Sequence, residues 1–227
     1  GLLLKPGQVY HLALTLKRLL ERGVENILMI DADPAANLSE VLGIRVERTL
    51  GSIVGEFREQ IQQGELSPGI SKRDLLEGKV YSALVEEPKY DLLAMGALER
   101  RGCFCYINSL LTEIVDKLAG NYAVVLMDMP AGLEHIARRT ARDVDVMFIV
   151  TDASKMGLQS ATRILDLAKK VDVEFRKVYL VLNRKDGMDG SFRRHADEFG
   201  LSYAGSVPND TNVEEYNLSG KSLLEIP

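Results

Sequence analysis

Three aspartate-bearing segments each follow directly on an apolar run. Ile27-Leu28-Met29-Ile30 leads into Asp31-Ala32-Asp33-Pro34-Ala35-Ala36-Asn37-Leu38, Val124–Met127 into Asp128-Met129-Pro130-Ala131-Gly132, and Val146–Val150 into Thr151-Asp152. In an open parallel sheet, ligands bind beyond the carboxyl ends of the strands, so acids gathered there are the first candidates for chemistry. A carboxylate at such an end can hold a water of the Mg²⁺ shell beside nucleotide phosphates, because Mg²⁺ keeps several waters and needs few protein carboxylates. Asp128 fits that role. A single strand-end Asp would more simply cap the next turn or helix. Asp-x-Asp-Pro and Asp-x-Pro-Ala-Gly in one chain favour a shared site.

A second candidate is Gly102-Cys103-Phe104-Cys105-Tyr106-Ile107-Asn108, which holds both cysteines of the chain. Cysteines two positions apart rarely close an unstrained disulfide, and the pair makes no secreted framework, so a reduced compartment is expected. Two readings stand side by side: thiolate ligands to a metal, or small buried hydrophobes, which free cysteines often are. His135 reads as structural, and His11 and His195 show no partner pattern.

The elements that must position these residues follow from periodicity. Apolar runs of strand length recur, each followed by a helical pattern, as in a parallel sheet covered on both faces. Strands are expected near Asn26–Asp31, Tyr90–Met95, Ala123–Asp128, Val144–Thr151, Lys177–Asn183 and Leu201–Val207. Tyr10–Arg22 sets Leu12, Leu16, Leu19 and Leu20 on one face and ends at Gly23, a first helix with its C-cap. Residues 45–88 are more polar, carry five glycines and lack clear strands; they read as an insertion with short helices. The fold class is therefore α/β, a three-layer, mostly parallel twisted sheet with helices on both faces, in a single domain over residues 1–227.

The bulk numbers agree with that class. A chain of 227 residues with 46% hydrophobic and 27% charged residues has the composition of an ordinary globular domain. Its apolar runs are too short to span a membrane and no signal-peptide pattern opens it, so it reads as cytoplasmic. A net charge of −5 argues against a broad nucleic-acid surface. The chain opens on Gly1 and stops at Glu225-Ile226-Pro227 without a closing helix, so both ends read as truncated.

Taken together, DADPAANL at 31–38 resembles switch I of the MinD/ParA-like, deviant Walker ATPases, and VVLMDMPAGLEH at 124–135 resembles their Walker B strand with switch II. The resemblance implies ATP and Mg²⁺ as ligands. It gives Asp33 the role of orienting the attacking water and Asp128 that of supporting Mg²⁺, with Asp31 and Asn37 in the same loop and Gly132 sensing the γ-phosphate. Val181-Leu182-Asn183-Arg184 is similar to the family's adenine-reading pair, and Ser206-Val207-Pro208-Asn209-Asp210 to its second base-contacting loop. Either alone could be an ordinary turn.

Within that family, Gly102–Asn108 followed by AGLEHIARRT at 131–140 resembles the CooC-type proteins that mature nickel-containing carbon monoxide dehydrogenase. The resemblance implies that Cys103 and Cys105 of two subunits meet at a dimer interface and bind Ni²⁺ or Zn²⁺. Two thiolates cannot complete a tetrahedral soft-metal site, but two chains supply four. A homodimer and a client enzyme of carbon monoxide dehydrogenase or acetyl-CoA synthase type follow, with no nucleic acid and no membrane as partner.

One motif departs from the family. Gly7-Gln8-Val9-Tyr10 falls where Gly-Lys-Thr-Thr opens the first helix and cradles phosphate. Gln8 carries no charge, Val9 has no hydroxyl for Mg²⁺ and Pro6 has no amide donor. Either the loop has decayed or the start is truncated or misread. Three readings result: an ATP-dependent metallochaperone, a noncatalytic pseudo-ATPase of the same fold, and a MinD/ParA-type partitioning ATPase.

Overall fold

The computed structural model describes residues 2–4, 9–65, 69, 71–97, 105–130, 143–170, 174–185 and 190–227. Its strands are β1 (Leu2–Leu4), β2 (Ile27–Asp31), β3 (Val85–Glu86), β4 (Tyr90–Ala94), β5 (Val124–Pro130), β6 (Asp143–Thr151), β7 (Glu174–Asn183) and β8 (Ser202–Val207). They form one eight-stranded sheet in the order β3-β4-β2-β5-β1-β6-β7-β8. Every pairing is parallel except that of the two-residue β3 with β4. Six strands lie where the apolar runs place them. A two-residue edge strand leaves no periodicity to read, and β3 was not foreseen.

The helices are α1 (Val9–Glu21), α2 (Asn37–Leu42), α3 (Leu50–Gln63), α4 (Lys72–Tyr81), α5 (Cys105–Ala119), α6 (Lys155–Lys170), α7 (Gly190–Glu198) and α8 (Thr211–Leu218), followed by a 3₁₀ turn at Leu223–Glu225. They cover both faces of the sheet because successive strand residues point to opposite sides. Leu28, Ile30, Leu93, Met127, Met147, Ile149, Leu180 and Leu182 face one core with α3 to α7. Ile27, Met29, Tyr90, Leu92 and Val150 face the other with α1, α2 and the C-terminal turn. That is the three-layer α/β arrangement the sequence implies.

Two details set the site's framework. Residues 45–88, expected as a polar insertion, contribute Leu50, Ile53, Val54, Phe57, Leu76 and Val80 to the first core. Their 50/53/54/57 spacing is one helical face. The N-terminus of α3 docks on the loop after β4: Gly51 N donates to the Met95 carbonyl at 2.8 Å, and a Cβ on Gly51 would meet the Ala97 carbonyl at 2.2 Å. Only glycine permits that approach.

At the other end, Ser222 Oγ donates to the Leu42 carbonyl and Lys17 Nζ to the Leu224 carbonyl. These bonds hold the C-terminal turn across α1 and α2, with Leu223 and Ile226 buried beneath it. β1 pairs with Asp128–Pro130 of β5 and Phe148–Ile149 of β6. Below it, the remainder of those two strands lines an apolar cavity of about 1260 Å³, with α1 along one wall. Among the described residues, no helix is long and apolar enough to cross a membrane.

Candidate nucleotide site

β2 and β5 are neighbours in the sheet, and their register sets Asp31 opposite Asp128. Both are buried. Asp31 is consumed by the loop that follows it: Oδ1 accepts from Asp33 N at 3.1 Å and Oδ2 from Leu38 N at 2.8 Å, tying the loop to the first turn of α2. The Asp31 backbone carbonyl takes Met95 N at 2.8 Å, and Ala32 N donates to the Asp128 carbonyl at 2.9 Å. The loop is thus pinned from both adjacent strands.

Asp33 is half-buried, and its Oδ1 accepts from Ala35 N at 2.8 Å, an Asx turn that prepares Ala36. Ala36 sits in the left-handed region at φ 51°, ψ 42°, which costs a residue with a Cβ about 1–2 kcal/mol. Such strain persists only where the surroundings impose it, and it concentrates at functional loops. Asn37, the first residue of α2, is exposed.

Asp128 differs from Asp31. Its Oδ1 is buried and has no hydrogen-bond partner among the described residues. Burial first, then the charges of Asp31 and Asp33, push its carboxyl up to about 7, with the Met129 amide opposing. Burial is also the main cause that raises Asp31 to about 6, against the bonds from Leu38 and Asp33. An unsatisfied buried carboxylate beside a second acid is costly unless a cation offsets it. The pair therefore fits Mg²⁺, which would find in Asp128 Oδ1 a free oxygen and leave its other positions to water and phosphate. The described residues contain no group of three His, Cys, Asp or Glu side chains arranged to hold a metal by themselves.

On the far side of β1, β7 ends at Asn183, and Arg184 follows in the left-handed region at φ 54°. Lys185 N donates to the Val207 carbonyl at 3.1 Å, bringing the end of β7 against the end of β8. The two segments expected to contact a base are therefore neighbours. Pro208 is exposed, and Asp210 caps α8, its Oδ1 accepting from Asn212 N at 2.8 Å.

His11 corrects the sequence reading, which gave it no partner. Its Nε2 lies 2.8 Å from Asn183 Oδ1, across 172 residues of chain. Burial lowers its pKa, the bond to Asn183 opposes that, and the Arg184 charge lowers it further. A neutral imidazole is the result at pH 7. Nothing in local sequence could have signalled a contact between the first helix and the seventh strand. Val9, at the start of α1, is buried. Gly7, Gln8, Cys103 and Gly132 lie outside the described residues, as does the side chain of Cys105, whose backbone begins α5.

Comparisons with known proteins give the family and the fold. The AAA_31 family model, an AAA domain, matches residues 6–180. An uncharacterized ATP-binding protein of Methanocaldococcus jannaschii is 42% identical over 209 residues, covering 92% of this chain and 83% of the relative. The carbon monoxide dehydrogenase accessory protein CooC of Rhodospirillum rubrum is 30% identical over 220 residues, covering 88% and 79%. The chain belongs to the MinD/ParA-like P-loop ATPases, near CooC.

The septum site-determining protein MinD of Pyrococcus horikoshii, solved with Mg-ADP, superposes on this ATPase family member with a TM-score of 0.62 at 20% identity. That match covers 97% of this chain and 85% of MinD, and it establishes the fold. Within the family, Asp31, Asp33 and Asp128 stand toward the carboxyl ends of the adjacent strands β2 and β5, where a parallel sheet binds its ligand. For a P-loop ATPase that ligand is a nucleotide with its Mg²⁺.

Proposed function

We propose that this MinD/ParA-like protein is an ATP-dependent maturation factor for a nickel enzyme of the carbon monoxide dehydrogenase type. The observation that carries the reading is the buried Asp128 Oδ1, without a partner among the described residues and beside Asp31, in a chain 30% identical to CooC over 220 residues. Mg²⁺ bound there would neutralise charge on the β- and γ-phosphates. Asp128 would hold its hydration shell, Asp31 would keep the 31–38 loop in shape, and Asp33 would orient the water that attacks. Asn183 would meet the adenine edge.

Cys103 and Cys105 of two protomers would supply the four thiolates that a soft divalent ion needs. Nucleotide binding between protomers would tighten the dimer around Ni²⁺ or Zn²⁺ as cargo, and hydrolysis would release the ion to the client enzyme. ATP turnover by the purified protein with Mg²⁺ tests the catalytic part. Asp33→Ala is expected to lower it at least about 100-fold with little change in melting temperature. Equal rates for the two proteins would exclude this chain as the catalyst.

A second reading has a specific observation behind it. Gln8 and Val9 stand where the family places its phosphate-binding lysine and Mg²⁺-binding hydroxyl. A protein with those residues could bind nucleotide or metal without turnover, and the same assay separates the two readings.

A further inference from the structure

Asn183 is proposed above as the residue that meets the base. A carboxamide has two unlike ends, an oxygen that only accepts and a nitrogen that only donates, and they exchange places by a half-turn. A free Asn at the end of a strand would present either. Asn183 is not free: its Oδ1 receives the His11 ring nitrogen at 2.8 Å, and both residues are half-buried. His11 is itself held in α1, whose Leu12, Ala13 and Leu16 are locked in the second core. Arg184, the next residue after Asn183, turns the chain away through the left-handed region, and Lys185 N anchors the far side on Val207.

We infer that His11 is a positioning residue that fixes the Asn183 carboxamide with its NH₂ group facing the nucleotide site. The base would then be read through an acceptor such as a purine ring nitrogen. The inference rests on the reading that Asn183 contacts the base. Its chemistry is simple. With Nε2–H donating to Oδ1, that oxygen is held toward α1 with one lone pair taken, and the two N–H donors of Asn183 are turned away from the imidazole. Removing His11 restores the half-turn, so part of the population would offer an oxygen to a base nitrogen and repel it.

His11 touches neither phosphate nor the attacking water in this account, so its loss should act on base affinity alone. The groups facing the imidazole are Asn183 and Arg184 from β7 and its exit, and Arg18 lies further along α1 on the same cavity wall.

The test uses the full chain and two ligands, Mg-ATP and Mg-tripolyphosphate, which share the phosphates and differ in the base. His11→Leu should weaken ATP about three- to tenfold, the worth of one hydrogen bond, and leave tripolyphosphate unchanged. His11→Gln, which can still donate to Asn183 Oδ1, should recover most of the loss. Any turnover should show the change in KM rather than kcat. The double variant with Asn183→Ala should be no weaker than Asn183→Ala alone.

The two levels of the claim fail differently. If Asn183→Ala leaves ATP affinity intact, or the wild type does not distinguish ATP from tripolyphosphate, Asn183 does not read the base and both ideas fall. If Asn183→Ala weakens ATP but His11→Leu does not, only the positioning role is overturned. A loss in His11→Leu that extends equally to tripolyphosphate, or that Gln does not recover, would mean that the substitution merely disturbs α1.

Discussion

Asp31 and Asp128 face each other in register on adjacent parallel strands, and the two carboxyls have opposite fates. Asp31 spends both oxygens on backbone amides of its own loop, at 3.1 and 2.8 Å, whereas Asp128 leaves Oδ1 buried and, among the described residues, unpartnered. One acid shapes the loop, and in the proposed function the other would offer its oxygen to Mg²⁺.

The pair makes stability depend on pH in a definite direction. Both carboxyls titrate higher in the folded chain, about 6 for Asp31 and about 7 for Asp128, than their ordinary value of 3.8. The folded state therefore binds more protons between about pH 4 and pH 7, and stability falls as pH rises through that window. Without divalent metal, the protein should be less stable at pH 8 than at pH 5.5 by on the order of 2 kcal/mol. Asp128→Asn should remove much of the difference, and millimolar Mg²⁺ should restore stability at pH 8. Urea unfolding at the two pH values checks this; a slope unaffected by either change would show that the pair is not strained.

Phe57 tests whether residues 45–88 are integral to the domain. It is fully buried on α3 within the first core, alongside Ile53 and Leu93. Phe57→Ala should destabilise the whole domain by about 3–5 kcal/mol in a single cooperative transition. A separate, low-stability transition confined to part of the protein would instead mark this segment as an appendage.

Ala36 carries local strain that a substitution can read. At φ 51° it precedes α2 and follows the Asp33 turn. Ala36→Gly should raise stability by up to about 1 kcal/mol, and Ala36→Val should lower it by about 1–2 kcal/mol, since a branched Cβ fits that region worst. Chemical denaturation of both variants decides it. If Gly also slows turnover, the strained loop contributes to catalysis as well as to shape.

Much of this was legible because strands of a parallel sheet covered by helices read as continuous apolar runs. Ile27–Asp31 and Val124–Pro130 announce themselves, together with the acids at their ends. The 50/53/54/57 face of α3 was also present in the sequence, but the five glycines and the polar residues of the surrounding segment mask its period. Two features were not legible for a physical reason. β3 exists only through its pairing with β4, and the His11–Asn183 bond depends on sheet order, which brings together residues that no local pattern connects. The unequal partnering of Asp31 and Asp128 likewise belongs to three-dimensional register, not to the Asp-x-Asp-Pro motif itself.

The central claim is nucleotide-dependent metal capture by a dimer, and metal-titrated analytical ultracentrifugation tests it most directly. Wild type and Cys103→Ser/Cys105→Ser would be sedimented with Ni²⁺ or Zn²⁺, each with and without Mg-ATP. One metal ion per dimer is expected in the wild type, with the dimer strengthened by Mg-ATP, and no bound metal in the double serine variant. A protein that remains monomeric and metal-free in every condition would contradict it, and would leave the cysteine pair as core packing in a MinD/ParA-like ATPase of another role.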